Sequence, residues 1–305
     1  MRPKTVYWET EFKIPGTPWV LSGYSRSAYK TAFFVQGIDI MLDGGPRCFK
    51  KPKHIFITHT HGDHIAELPF TMIDKSKSEN KITVYCPAEA EVELRKYIMQ
   101  LHNTNSLKDT SEVTASYYNL VPIEQSHCIR RMIINKQLME IETIGADHSI
   151  PTVIYGFSLI KEKLDTRYTS CTGKEIADLR KSGVKVTMKV VDKKFCYILD
   201  TSIKTIEMNP QFLTYPVVII ECTFLLDDDY DLADKKKHIH WLQLRPYVES
   251  NPNTLFILTH FSMRYTDQDV KDFFDKIKLA TGVTNIHVWL TDPVIDNVIK
   301  GGEVH

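Results

Sequence analysis

The chain has 305 residues, of which 43% are hydrophobic, 10% aromatic and 25% charged. This globular composition excludes disordered, collagenous and fibrous proteins and leaves room for a sizeable core in one or two domains. The 38 basic residues cancel the 38 acidic ones, so a polyanionic partner would have to be held by a local patch rather than by the field of the whole molecule. Six cysteines with no CxxC pair argue against a disulfide scaffold. The opening MRPKTVYWETEFKIPG lacks the apolar core of a signal peptide, and the apolar stretch around Tyr215 to Ile220 is far short of the ~20 residues of a membrane helix. The expectation is a soluble protein of a reducing compartment, cytoplasmic or nuclear, with an organelle still open.

In chain order, TAFFV (31–35), IDIML (38–42) and HIFIT (54–58) read as strands because they are rich in aromatic and β-branched residues, with Gly37 as a turn. Two glycines, Gly44 and Gly45, follow Asp43. Ala88 to Leu101, just after Pro87, carries good helix formers with apolar Val92, Leu94, Tyr97, Ile98 and Leu101 near a helical period. Further strands are predicted at 138–144, 152–160, 194–200, 216–222 and 254–260. Helices are predicted at 175–181, 241–249 and 267–279. The alternation predicts an α/β protein of layered sheets and helices, with an antiparallel or mixed first third. No internal repeat is visible. The polar stretch from Lys161 to Lys194 reads as a protruding arm.

The chemistry concentrates in THTHGDHI, Thr58 to Ile65, which sets His59, His61, Asp63 and His64 at the end of a strand. Imidazoles and a carboxylate are ligands that zinc accepts, and gathering four such groups in one tight turn without a cation would cost desolvation for no return. Later strand ends carry His148 in GADHSIPT, Asp200 in CYILDTS and His260 in LTHFSMRY. Glu221 closes an apolar run and needs a partner, and His238 supplies one. A histidine with an unperturbed pKa near 6.5, fixed by a carboxylate, can protonate a departing oxygen. His240, two residues on, competes for that role. His54, His102, His127 and His287 read as structural or surface histidines, and the cysteines as core. No GxSxG elbow, Walker A loop or GxGxxG is present, which removes the main support for serine hydrolase, nucleotide triphosphatase and dinucleotide enzyme readings.

The HxHxDH spacing, followed in order by His148, Asp200 and His260, resembles the metallo-β-lactamase superfamily. HSIPTVIYGF, ECTF and HFSMRY further resemble elements of ribonuclease Z, the endonuclease that trims the 3′ trailer of precursor tRNA. The resemblance implies a four-layer sandwich of two mixed sheets flanked by helices, a single domain over 1–305 with a substrate arm at about 161–194, and a homodimer. It implies one zinc on His59, His61 and His148, a second on Asp63, His64 and His260, and Asp200 bridging. Manganese or another divalent metal is an alternative, since His and carboxylate ligands accept several. Two metals roughly 3.5–4 Å apart can clamp the attacking and leaving oxygens of a phosphodiester. Asp63, His238 and Glu221 become the catalytic candidates, and Arg180, Lys181, Lys185, Ser262 and Arg264 the candidates for substrate binding. Four departures mark a divergent short form: SGYSRSAYKTAFFV with LDGGPRC near Asp43, AELP after HTHGDHI, HIHW at His238, and an arm without the family's usual glycine-proline element. A small-substrate or cyclic-nucleotide phosphodiesterase on the same metals, and a non-catalytic RNA-binding scaffold, are the competing readings.

Overall fold

A computed structural model describes residues 6–73, 81–109 and 117–290. Its core is a pair of seven-stranded sheets. The first runs in chain order through β1 (Glu11–Lys13), β2 (Val20–Arg26), β3 (Lys30–Gln36), β4 (Ile40–Leu42), β5 (His54–Phe56), β6 (Ile82–Pro87) and β7 (Tyr118–Ile123). The second is built in the same order from β8 (Cys128–Ile134), β9 (Gln137–Ala146), β10 (Thr152–Leu164), β11 (Thr187–Ile198), β12 (Val217–Glu221), β13 (Leu255–Thr259) and β14 (Ile286–Val288). In each sheet the first four strands pair antiparallel and the last three add in parallel. The two halves of the chain therefore repeat one topology, a repeat that no sequence periodicity reveals.

Burial explains the strand sequences. VVIIE of β12 is apolar at successive positions because both of its faces are covered. Val217 and Ile219 point between the sheets with Phe33, Phe56, Tyr155 and Phe195, while Val218 and Ile220 face the helices outside. Trp241, Leu244 and Val248 of helix Trp241–Ser250 and Val270 and Phe274 of helix Asp267–Thr281 cover the second sheet. Leu94 and Ile98 of helix Glu91–Ser106 cover the first. The layering is helix, sheet, sheet, helix, as expected. No helix among the described residues is long and apolar enough to cross a membrane.

The predicted arm differs from its expectation in one respect. β10 and β11 run on into it, pairing as far as Leu164 with Thr187, and the helix Gly173–Lys181 lies between them. From Tyr155, near the base of the hairpin, to Leu164 is a rise of roughly 30 Å at strand spacing.

Candidate metal centre

The functional side chains sit where strands run out. Asp43 follows β4 and Asp200 follows β11, the fourth strands of the two sheets, and both adopt a left-handed backbone with φ of 57° and 51°. His59 follows β5 and His260, with φ of 63°, follows β13. Asp63 and His64 lie on a single helical turn, Gly62–Ile65, rather than in an irregular loop. That turn is held by the glycine pair. Gly44 donates to the His64 carbonyl at 2.6 Å, and a Cβ on Gly45 would overlap the Asp63 carbonyl oxygen and crowd the Thr31 amide. Gly45→Ala should therefore cost about 1–3 kcal/mol of stability by overpacking, read from urea unfolding, and should shift Asp63. A wild-type midpoint would show that the close approach is dispensable.

All seven predicted ligand residues converge, in two groups that share Asp200. Nε2 of His59 and Nε2 of His148 lie 3.0 and 3.3 Å from Nδ1 of His61. Oδ2 of Asp200 faces this trio, 3.5 Å from His59 and 3.9 Å from His148. Oδ1 of the same carboxylate turns the other way, 3.3 Å from Nε2 of His64 and 3.1 Å from Nε2 of His260. Oδ2 of Asp63 lies 3.6 Å from each of those two nitrogens. Buried Nε2 of His64, Nε2 of His260 and Oδ1 of Asp200 make no hydrogen bond. Buried polar atoms in mutual reach but unbonded are the arrangement a shared cation satisfies, so the donor set fits divalent metal.

The opposite ring nitrogens are fixed, which sets the tautomers. His64 Nδ1 meets Asp43 at 2.9 Å, and His59 Nδ1 meets the Thr58 hydroxyl at 3.0 Å, which itself donates to Asp43. His260 Nδ1 meets Thr223, whose hydroxyl donates to Glu221 at 2.6 Å, and His148 Nδ1 donates to the Lys237 carbonyl at 3.2 Å. The Ala28 amide donates to Asp63, from a β2–β3 turn anchored by buried Arg26 to Asp267 and to the carbonyls of Ser262 and Tyr265. Burial pushes His59, His61 and His148 below their ordinary pKa, leaving them in the neutral form a metal binds. Burial opposes ionisation of Asp63, but the neighbouring His260 and His64 outweigh it and hold the carboxyl down at about 2.

Beside the metal groups, His238 directs Nδ1 at both oxygens of Glu221, 3.1 Å from each. Glu221 is fully buried and also accepts from the Thr201 and Ile239 amides. Burial disfavours a charged imidazole at His238, yet Glu221 overrides it and lifts His238 to about 9. Its ring lies 5.3 Å from that of His148 and 5.5 Å from that of His260. His240 is placed elsewhere. It is buried, its Nε2 bonds the Leu226 carbonyl, and its Nδ1 caps the helix starting at Trp241.

The remaining predicted residues are spread out. Arg180, Lys181 and Lys185 are exposed on the arm. Ser262 is buried and accepts from the Arg264 amide, while Arg264 is half exposed and paired with Asp229. Sequence reasoning left Asp43, Thr58, Thr223 and Lys237 without a role, although Asp43 before two glycines at a strand end carried a signal.

No family model matches the chain. The tRNase Z TRZ1 of Arabidopsis thaliana is 28% identical over 267 residues, covering 85% of this chain and 90% of its own. A Ribonuclease Z of Macrococcus caseolyticus is 29% identical over 256 residues, covering 75% and 76%. The chain is a relative of ribonuclease Z. Among solved structures, the short form of human tRNase Z superposes with a TM-score of 0.52 at 18% identity, covering 79% of this chain and 92% of that one. The fold is that of the metallo-β-lactamase proteins.

Proposed function

We propose that this chain is a metal-dependent endoribonuclease that cuts precursor tRNA at its 3′ trailer and leaves a 3′-OH, using two zinc ions or another divalent pair. The observation that carries the reading is the pair of ligand groups sharing Asp200 with a Glu221–His238 couple beside them. His59, His61 and His148 would hold one ion, Asp63, His64 and His260 the other, and Asp200 both. Metals bound there would activate water and neutralise charge on the phosphodiester oxygens. His238 is protonated at neutral pH and donates its proton to the departing 3′ oxygen, which becomes the 3′-OH. Glu221 holds the imidazole in place and balances its charge. Asp63, fixed by Ala28 and placed between His64 and His260, orients the attacking water. The whole chain acts as one domain, and two copies pair as a homodimer, which sedimentation would detect.

Fold alone does not choose among phosphodiesters; the curated relatives' names favour tRNA. Incubation with a precursor tRNA carrying a 3′ trailer, with both product ends mapped, tests the choice. A cut after the discriminator base supports it, whereas an uncut precursor alongside rapid hydrolysis of cyclic nucleotides would give the site to a small-substrate phosphodiesterase.

The arm belongs to the same proposal. From Lys161 to Lys194 ten basic residues stand against five acidic ones. Its far end lies roughly 30 Å along the hairpin from Tyr155, so it acts on RNA distant from the scissile bond. Neutralising Arg180, Lys181 and Lys185 together should weaken tRNA binding and flatten its dependence on log salt by about one unit per lost phosphate contact. Hydrolysis of a small chromogenic phosphodiester should stay at the wild-type rate. Equal losses on both substrates would refute the arm's part.

A further inference from the structure

Lys237 precedes the proposed acid His238 and ends the helix Tyr230–Lys236 with a left-handed backbone, φ 53° and ψ 50°. Helices that end this way ordinarily carry glycine there, because a side chain crowds the following carbonyl. Here the side chain is used. Its Nζ donates to Oδ1 of Asp147 at 2.8 Å and to the His148 carbonyl at 3.1 Å, and the Lys237 carbonyl in return accepts from Nδ1 of His148. Asp147 reaches in the opposite direction as well. Its Oδ2 accepts from the Ser202 hydroxyl at 2.6 Å, its carbonyl accepts from the Ser202 amide, and its amide donates to Thr205.

We propose that the Lys237–Asp147 pair is a positioning clasp that locks the His238 segment onto the loops bearing His148 and Asp200. This rests on the proposed function above. Each clasp residue sits one or two positions from a functional side chain: Asp147 beside His148, Ser202 beyond Asp200, Lys237 before His238. A half-exposed ion pair contributes little to stability, and the lysine side chain is 42% exposed. Its effect is therefore geometric. With the ammonium in place, the carbonyl that fixes the His148 tautomer and the ring of His238 keep one register against the metal groups. Without it, one direct hydrogen bond between the two segments remains among the described residues, from His148 to the Lys237 carbonyl, beside the contact of the His148 and His238 rings. Groups that orient a metal-binding histidine typically change metal affinity by about 10- to 100-fold.

Lys237→Gly is the informative variant, because it retains the left-handed turn and the carbonyl and removes the side chain that carries the ammonium. Co2+ affinity of the metal-free protein, by chelator competition, should weaken roughly tenfold. The kcat on precursor tRNA should fall by a similar factor with KM unchanged, since RNA is gripped elsewhere. Lys237→Arg should recover most of both. Asp147→Asn should reproduce the Lys237→Gly losses, and the double variant should be no worse than either single one. Wild-type Co2+ affinity and kcat in Lys237→Gly would overturn the clasp while leaving the proposed function standing. Equal failure of Lys237→Arg and Lys237→Gly would also overturn it, because the charge would then not be what matters. Wild-type protein that binds no Co2+ would overturn the proposed function, and the clasp with it.

Discussion

Replacing Asp200 with asparagine is expected to leave the protein folded and nearly inactive. Asparagine tolerates the left-handed backbone that this position requires, so the fold keeps its shape around φ 51°. The chemistry changes completely. One oxygen of Asp200 faces His59 and His148 and the other faces His64 and His260, so an amide must turn its donor hydrogens toward one of the two ligand groups. A cation cannot share that group with an NH2. Elemental analysis should show the metal content fall from two equivalents to one or fewer, and hydrolysis should drop by at least ~10³-fold, the upper range for losing one preorganised electrostatic group. Asp63→Ala, which strips only the His64–His260 group of its carboxylate, should lose one equivalent and also abolish hydrolysis. Two retained equivalents together with a near wild-type rate in Asp200→Asn would remove Asp200 as the shared ligand.

The residues in this argument differ in how far a sequence exposes them. His59, His61, Asp63 and His64 fall within one strand end and one helical turn, so their meeting is local and their spacing reports it. His148, Asp200 and His260 lie 52 and 60 residues apart. Only their positions after apolar strands and their order connect them, and resemblance supplied the rest. Asp43 escaped because its partners, Thr58, His64 and Tyr197, come from three separate elements and none forms a spacing with it. The strands behave similarly. β10 to β13 are buried apolar runs and were legible, whereas β8, CIRRMII, and β7, which contains Pro122, are edge strands whose outward residues dilute the pattern. β1 is three residues with two exposed charges and no pattern could mark it. The arm's helix was legible from its apolar spacing, but the strands that extend into the arm carry lysines on an exposed face, so the predicted strands stop at 160 and resume at 194 although pairing runs on to Leu164 with Thr187.

His238→Ala should slow cleavage by ~10²–10⁴-fold, the range that general acid catalysis supplies, while metal content stays at the wild-type value. The structure separates the two histidines of HIHW by the bonds their rings already make. Both nitrogens of His240 are occupied, one by the Leu226 carbonyl and one by the Leu242 amide, so neither is left to meet a departing oxygen. His240→Ala should act as the loss of a helix cap, costing about 0.5–2 kcal/mol with only a modest change in rate. His238 commits only Nδ1, to Glu221, and its ring stands between those of His148 and His260, leaving Nε2 for the departing oxygen. Glu221→Gln should be milder than His238→Ala, because the amide oxygen can still accept from Nδ1 but no longer supports the imidazolium charge. Metal loss in His238→Ala would make this residue a ligand instead, since Glu221, His238 and His260 also lie close enough to hold an ion. Rate and metal content measured on one preparation therefore decide the role: a slow enzyme with full metal keeps His238 as the acid, and a slow enzyme with reduced metal transfers that role to another donor.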